Sequence, residues 1–122
     1  MKLLVSIALV FGFFLAGASL AEAHAFVDHA EPPVGGVVHG SPGTVKIWFT
    51  RKLDRALSKV QVFDANGREV ERGKTDVDPG NQTLLVVPIP KLPAGHYKVT
   101  WRAVCVDAHT TRGSFTFEVT GG

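Results

Sequence analysis

Between His96 and Ala103 the chain alternates at every position. Tyr97, Val99, Trp101 and Ala103 fall on one side; His96, Lys98, Thr100 and Arg102 fall on the other. Only an extended strand, whose side chains point to opposite faces in turn, sorts such a sequence into one apolar and one polar face. The pattern returns in Thr44–Thr50, where Val45, Ile47 and Phe49 point one way and Trp48 breaks the rule. It returns again in Lys59–Phe63, with Val60 and Val62 inward, and in Ser114–Val119, with Phe115, Phe117 and Val119 inward. Thr83–Ile89 is strongly β-forming, and Pro88 predicts that it ends at a sheet edge. Residues 24–30 and Gly36–His39 read as short extended pieces.

Turn chemistry separates these runs. Glu31-Pro32-Pro33 ends the first, and Gly40-Ser41-Pro42-Gly43 precedes the third. Asp64-Ala65-Asn66-Gly67 carries an Asn-Gly hairpin signal with a return strand at Arg68–Arg72. Asp78-Pro79-Gly80-Asn81 and Lys91–Gly95 are further turns, and residues 107–112 read as a polar loop. Only Asp54–Ser58 suits a helical turn. About seven short strands at this spacing predict an all-β fold, a Greek-key β-barrel or sandwich of the Ig-like kind.

The first residues belong to a different class of segment. Lys2 is followed by an almost wholly apolar run, Leu3–Leu20, whose small residues thicken towards Ala21-Glu22-Ala23. This is the form of a secretory signal with a small-x-small cleavage site. Residues 1–23 are expected to be removed, leaving residues 24–122 as one soluble domain outside the cytoplasm. The full chain has 13 Lys+Arg and 11 Asp+Glu; the leader carries one of each, so the charge stays +2. The basic residues are scattered among acids, which speaks against nucleic acid. Cys105 is the single cysteine, so no internal disulfide is available, and the single methionine is Met1.

Cleavage after Ala23 makes His24 the first residue. It then offers a metal two nitrogens, the new α-amine (pKa about 7.7–8.0) and its own imidazole. A second pair of donors is Asp107-Ala108-His109. In an extended segment, residues two apart project to the same side, so a carboxylate and an imidazole can reach one ion. An Asp-x-His spacing alone is common by chance; its weight comes from the rarer N-terminal histidine. The combined N₃O set suits Cu(II), with Zn(II) as the competing ion. Cys105 shares the parity of Trp101 and Ala103, which predicts a buried small hydrophobe rather than a ligand. His29, His39 and His96 are read as surface or turn residues.

At this point the sequence resembles the CopC/PcoC copper-resistance family. The resemblance rests on His24-Ala25-Phe26-Val27 with Pro32 and Gly35, on Val45-Lys46-Ile47-Trp48-Phe49, and on Leu92-Pro93-Ala94-Gly95-His96-Tyr97-Lys98-Val99. It rests above all on Trp101-Arg102-Ala103-Val104 followed by Asp107-Ala108-His109 and Gly113-Ser114-Phe115-Thr116-Phe117. It implies a cupredoxin-like Greek-key β-barrel in the periplasm, with Cu(II) held by His24, Asp107 and His109. It also implies copper hand-over with an inner-membrane transporter of the CopD type or a multicopper oxidase. Family members with a second, Cu(I) site use a Met-rich loop, which residues 24–122 lack. Some relatives place an acid after the third strand; here Arg51 stands there, positioned to pair with Asp107.

Two other functions fit parts of this pattern. A copper-bound N-terminal histidine also resembles the lytic polysaccharide monooxygenases, which would make the chain an oxidative enzyme. Such enzymes need an open coordination position and a broad flat face, and an anionic Asp ligand with only 99 residues argues against both. A metal-free Ig-like interaction module is the other alternative. A copper(II) carrier or buffer, not an enzyme, is the expectation carried forward.

Overall fold

The computed structural model describes residues 27–121. The leader, its cleavage site, His24, Ala25 and Phe26 lie outside the described residues. Eight strands follow in order: β1 (Val27–Glu31), β2 (Val37–His39), β3 (Thr44–Phe49), β4 (Lys59–Phe63), β5 (Asp76–Asp78), β6 (Asn81–Pro88), β7 (Gly95–Val104) and β8 (Thr110–Thr120). They form two four-stranded sheets, β1-β3-β6-β5 and β2-β8-β7-β4. All neighbours are antiparallel except β2 and β8, which run parallel. Only β5–β6 and β7–β8 are hairpins within one sheet; every other connection crosses between sheets. This is the expected Greek-key sandwich, with one strand more than the pattern predicted.

The alternating positions build the core. Val45, Ile47 and Phe49 of β3 and Leu85 and Val87 of β6 face Val60, Val62, Val99, Trp101, Phe115, Phe117 and Val119 of the other sheet, all buried. Each such side chain contributes roughly 1.5–3 kcal/mol by leaving water. Phe49 meets Trp101 edge-on with centroids 5.3 Å apart, and Tyr97 stacks on Phe117 at 5.5 Å. Trp48, the exception in β3, points outward and stacks on His29 at 4.3 Å and 9°. Gly113 is needed inside: a Cβ there would come within 2.5 Å of the Trp101 ring.

Three local expectations are corrected. Residues 68–72 do not form a full return strand. Val70 N–H donates to Val62 O and Phe63 bridges Glu69, but side chains satisfy the rest of the β4 edge. Glu71 Oε1 accepts Val62 N–H, and Thr75 Oγ1 accepts Val60 N–H and donates to Val60 O. The next strand is instead β5, three residues long, which pairs with β6 in the other sheet. Pro88 ends β6 without putting it at an edge, because β6 is interior and the proline has no N–H to contribute at the last position. The polar loop 107–112 is shorter than expected, since Thr110 already pairs with Val104.

Asp54–Ser58 makes the single helical turn that its sequence suits. Asp54 Oδ1 accepts the N–H groups of Ala56 and Leu57, and Ser58 N–H donates to Asp54 O. The segment before it is stitched across one end of the sandwich. Leu53 N–H donates to Gln82 O, Asp54 N–H to Val104 O, and Val106 N–H to Lys52 O. That end carries the candidate site.

Candidate metal centre

β7 and β8 are joined by Cys105–His109. The segment is a tight turn rather than the extended piece expected. Ala108 N–H donates to Cys105 O at 2.9 Å and Cys105 N–H donates to His109 O at 2.8 Å. Closing the turn puts Ala108 at φ +72°, the left-handed region that an L side chain rarely adopts. Asp107 and His109 are thus brought together by a reversal of the chain, not by strand parity.

Asp107 Oδ1 lies 4.0 Å from His109 Nδ1 and accepts the His109 N–H at 3.3 Å. The other oxygen, Oδ2, lies 3.8 Å from Arg51 Nη1. The expected Arg51–Asp107 pair is therefore present, reached across 56 positions of sequence. It leaves Oδ1 turned towards the imidazole. Both side chains are open to solvent, His109 80 % and Asp107 55 % exposed. A separation of 4.0 Å is within the span of two metal–ligand bonds of about 2 Å each.

Cys105 sits beneath this pair, buried as expected and bridged to Leu53. Burial pushes its thiol up, the Asp107 carboxylate adds to that push, and Arg51 opposes it. A protonated, enclosed thiol is a poor ligand.

The start of β1 lies at the same end. Val27 pairs with Phe49, two residues before Arg51, and Phe49 rests on Trp101. His29 faces outward, its Nδ1 2.7 Å from Asp28 Oδ2 and its ring on Trp48. His39 and His96 are exposed on β2 and β7. Among the described residues no group of three or more His, Cys, Asp or Glu side chains converges. Asp107 and His109 bring one carboxylate and one imidazole together, two potential donors among the described residues. The signal missed in the sequence was the turn itself, since alanine gives no hint of a left-handed position.

Comparison with known proteins gives a consistent result. The family model described as the CopC domain matches residues 27–120. The chain is 31% identical over 107 residues to copper resistance protein C of Pseudomonas syringae pv. tomato, covering 83% of this chain and 84% of that one. It is 29% identical over 114 residues to the copper transport protein CutJ of Bacillus subtilis. That match takes in 93% of this chain but spans only about a fifth, 21%, of CutJ. Among solved structures, CopC from Methylosinus trichosporium OB3b superposes with a TM-score of 0.74 at 28% identity, covering 80% of this chain and 95% of that one.

Proposed function

The chain belongs to the CopC-domain family, and from that premise we propose that it is a periplasmic carrier or buffer of Cu(II), holding the ion through His24, Asp107 and His109. The family is one of copper-binding proteins rather than enzymes. The finer reading rests on one observation. Asp107 and His109 stand 4.0 Å apart at the end of the sandwich where β1 begins. His24 precedes Val27 by three residues, a reach of at most about 10 Å. An α-amine, two imidazoles and a carboxylate make a tetragonal N/O set, which favours Cu(II). Soft donors that would retain Cu(I) are missing: the one methionine is Met1, and the Cys105 thiol is enclosed.

Arg51 sets the charge of the site. A dication meeting Asp107 must share the carboxylate with a guanidinium 3.8 Å away. This tunes affinity downward relative to a site with an acid at position 51, as suits an ion that is passed on. Export by the 1–23 leader and cleavage after Ala23 are part of the same proposal, because an uncut chain has no free amine at His24. A CopD-type transporter or a multicopper oxidase is the proposed exchange partner. A stretch similar to this chain lies within the much longer copper transport protein CutJ, which supports a transporter.

The test compares protein beginning at His24 with protein carrying one extra alanine before it. Every side chain is retained while the amine is displaced. The Cu(II) EPR spectrum is expected to change and the affinity to fall by about 100-fold or more, the scale on which losing even a supporting group acts. Identical spectra and affinities would remove His24 from the site.

A further inference from the structure

The outer face of the β2-β8-β7-β4 sheet carries a charge pattern that the metal site does not use. Lys59, Arg102 and Arg112 are register partners on three adjacent strands. Three cations therefore stand in one row, with neighbouring strands about 4.8 Å apart. Lys98 lies on the same face of β7, four residues further from the Cys105–His109 turn. All four are exposed, and none forms an ion pair with a described residue. Arg102 is anchored by its Nε, which donates to Leu57 O at 3.1 Å; Glu69 is the acid whose charge Lys59 feels. Like charges directly opposite on neighbouring strands destabilise a sheet, so this row costs the fold stability that the Leu57 carbonyl and Glu69 offset only at Arg102 and Lys59.

The row borders a groove of about 290 Å³ whose other lining includes the polar Gln61 and Thr100. Past Thr100 it continues into a hollow of about 580 Å³ with Lys98 and Phe63. Asp64 and the register pair His96–Glu118 bound the far end. Positive charge is thus densest in the part nearest the metal turn and extends to Lys98 in the hollow beyond. One exposed apolar residue, Leu57 at 52%, adjoins that part, its carbonyl held by Arg102 Nε.

We propose that this face docks an extended acidic segment of a partner protein and so presents the Cys105–His109 turn to it. The proposal rests on the reading of the chain as a copper carrier. The distance from the Arg102 row to the His96 row is six residues of strand, about 20 Å, enough for about six residues of extended peptide. The three cations line a groove together with Gln61, Thr100 and Trp101, a shape that an extended segment enters and a flat bilayer surface does not. Leu57 supplies an apolar contact beside the charged residues, as protein interfaces pair the two.

The test uses metal-free protein and a fluorescein-labelled octaglutamate peptide, read by fluorescence anisotropy at low salt. K59Q/R102Q/R112Q is expected to weaken binding about tenfold or more, three exposed ion pairs being lost, and to unfold at the same temperature or higher because repulsion is relieved. K46Q/R72Q/K91Q, with the same change in net charge elsewhere, is expected to bind as the parent does. Should the first variant fail to fold, K59Q/R112Q keeps Arg102 and carries the same test. Undiminished binding in the first variant, equal loss in both, or tighter binding to phosphatidylglycerol vesicles than to the peptide would overturn the proposal. Cu(II) affinity is expected to be unchanged throughout, so failure of the docking face is separable from failure of the copper site.

Discussion

Two five-residue turns in this molecule share a backbone pattern and differ in what their carboxylates bind. In Asp64–Arg68, Gly67 N–H donates to Asp64 O and Asp64 N–H to Arg68 O; in Cys105–His109, Ala108 and Cys105 make the matching pair of bonds. The fourth residue is left-handed in both, Gly67 at φ +79° and Ala108 at φ +72°. The carboxylates differ. Asp64 Oδ1 accepts the N–H groups of Asn66 and Arg68, and Oδ2 faces Arg68 Nε at 3.4 Å. That carboxylate is committed to its own turn. Asp107, at the third position, accepts one N–H at 3.3 Å and faces outward. What anchors its turn is the buried Cys105 and the Val106–Lys52 bond. Moving the acid by two positions, and anchoring the turn from the core, releases the carboxylate from all but one bond to the turn's own amides, as the proposed copper site requires.

The largest expected effect that would break this contrast is on copper. Asp107→Ala or His109→Ala should weaken Cu(II) binding by about 100-fold or more in a chelator competition, while Asp64→Ala leaves it unchanged. Equal losses at Asp64 and Asp107 would show that the turns are not functionally distinct.

Stability should respond in the reverse order. Asp64→Ala is expected to lower the thermal midpoint by several degrees, and Asp107→Ala to leave it nearly in place. The pH dependence follows from the same bonds. The Arg68 N–H, first, and then the Asn66 N–H hold the Asp64 carboxyl below the usual aspartate value of about 3.9. A depressed value in the folded state stabilises fully above the unfolded value and is lost as pH falls through the folded one. Acid unfolding should therefore be shallower below about pH 4 in Asp64→Asn than in the parent, read from midpoints across a pH series.

The left-handed positions give a smaller pair of effects. Gly67→Ala adds a Cβ that meets nothing within 4 Å, so its cost is the backbone alone, about 1 kcal/mol. Ala108→Gly should stabilise by about 0.5–1 kcal/mol by urea titration, and loosen the Asp107–His109 approach. Arg51→Gln has the smallest effect on folding, under about 0.5 kcal/mol for so exposed a pair. It should nonetheless raise Cu(II) affinity several-fold, and an unchanged affinity would separate Arg51 from the site.

Much of the sandwich was legible because alternation over six or more residues is a strong signal. β3, β7 and the inward set of β8 were read to the face. β5 was not, since Asp76-Val77-Asp78 holds a single apolar residue and shows no period. The supposed return strand at 68–72 failed because Glu71 and Thr75 replace backbone partners with side chains, which no periodicity records. At the site, residue types pointed to Asp107 and His109, but the conformation that joins them was misread. Asn-Gly announces a left-handed residue at Gly67; Asp-Ala announces nothing at Ala108.

The sequence by itself determined which side chains face the core, which turns are cheap, and which residues have the chemistry to hold copper. Those properties are local, set by strand pleat, by the freedom of glycine and asparagine, and by donor type. Only the tertiary structure decided that Arg51 meets Asp107, that Val27 starts at the same end as that pair, and that Ala108 is held left-handed. Each depends on register between segments far apart in the chain. The turn at Ala108 in particular is imposed by the Val104–Thr110 pairing and the Lys52 contact, whose combined bonding outweighs the strain of one alanine.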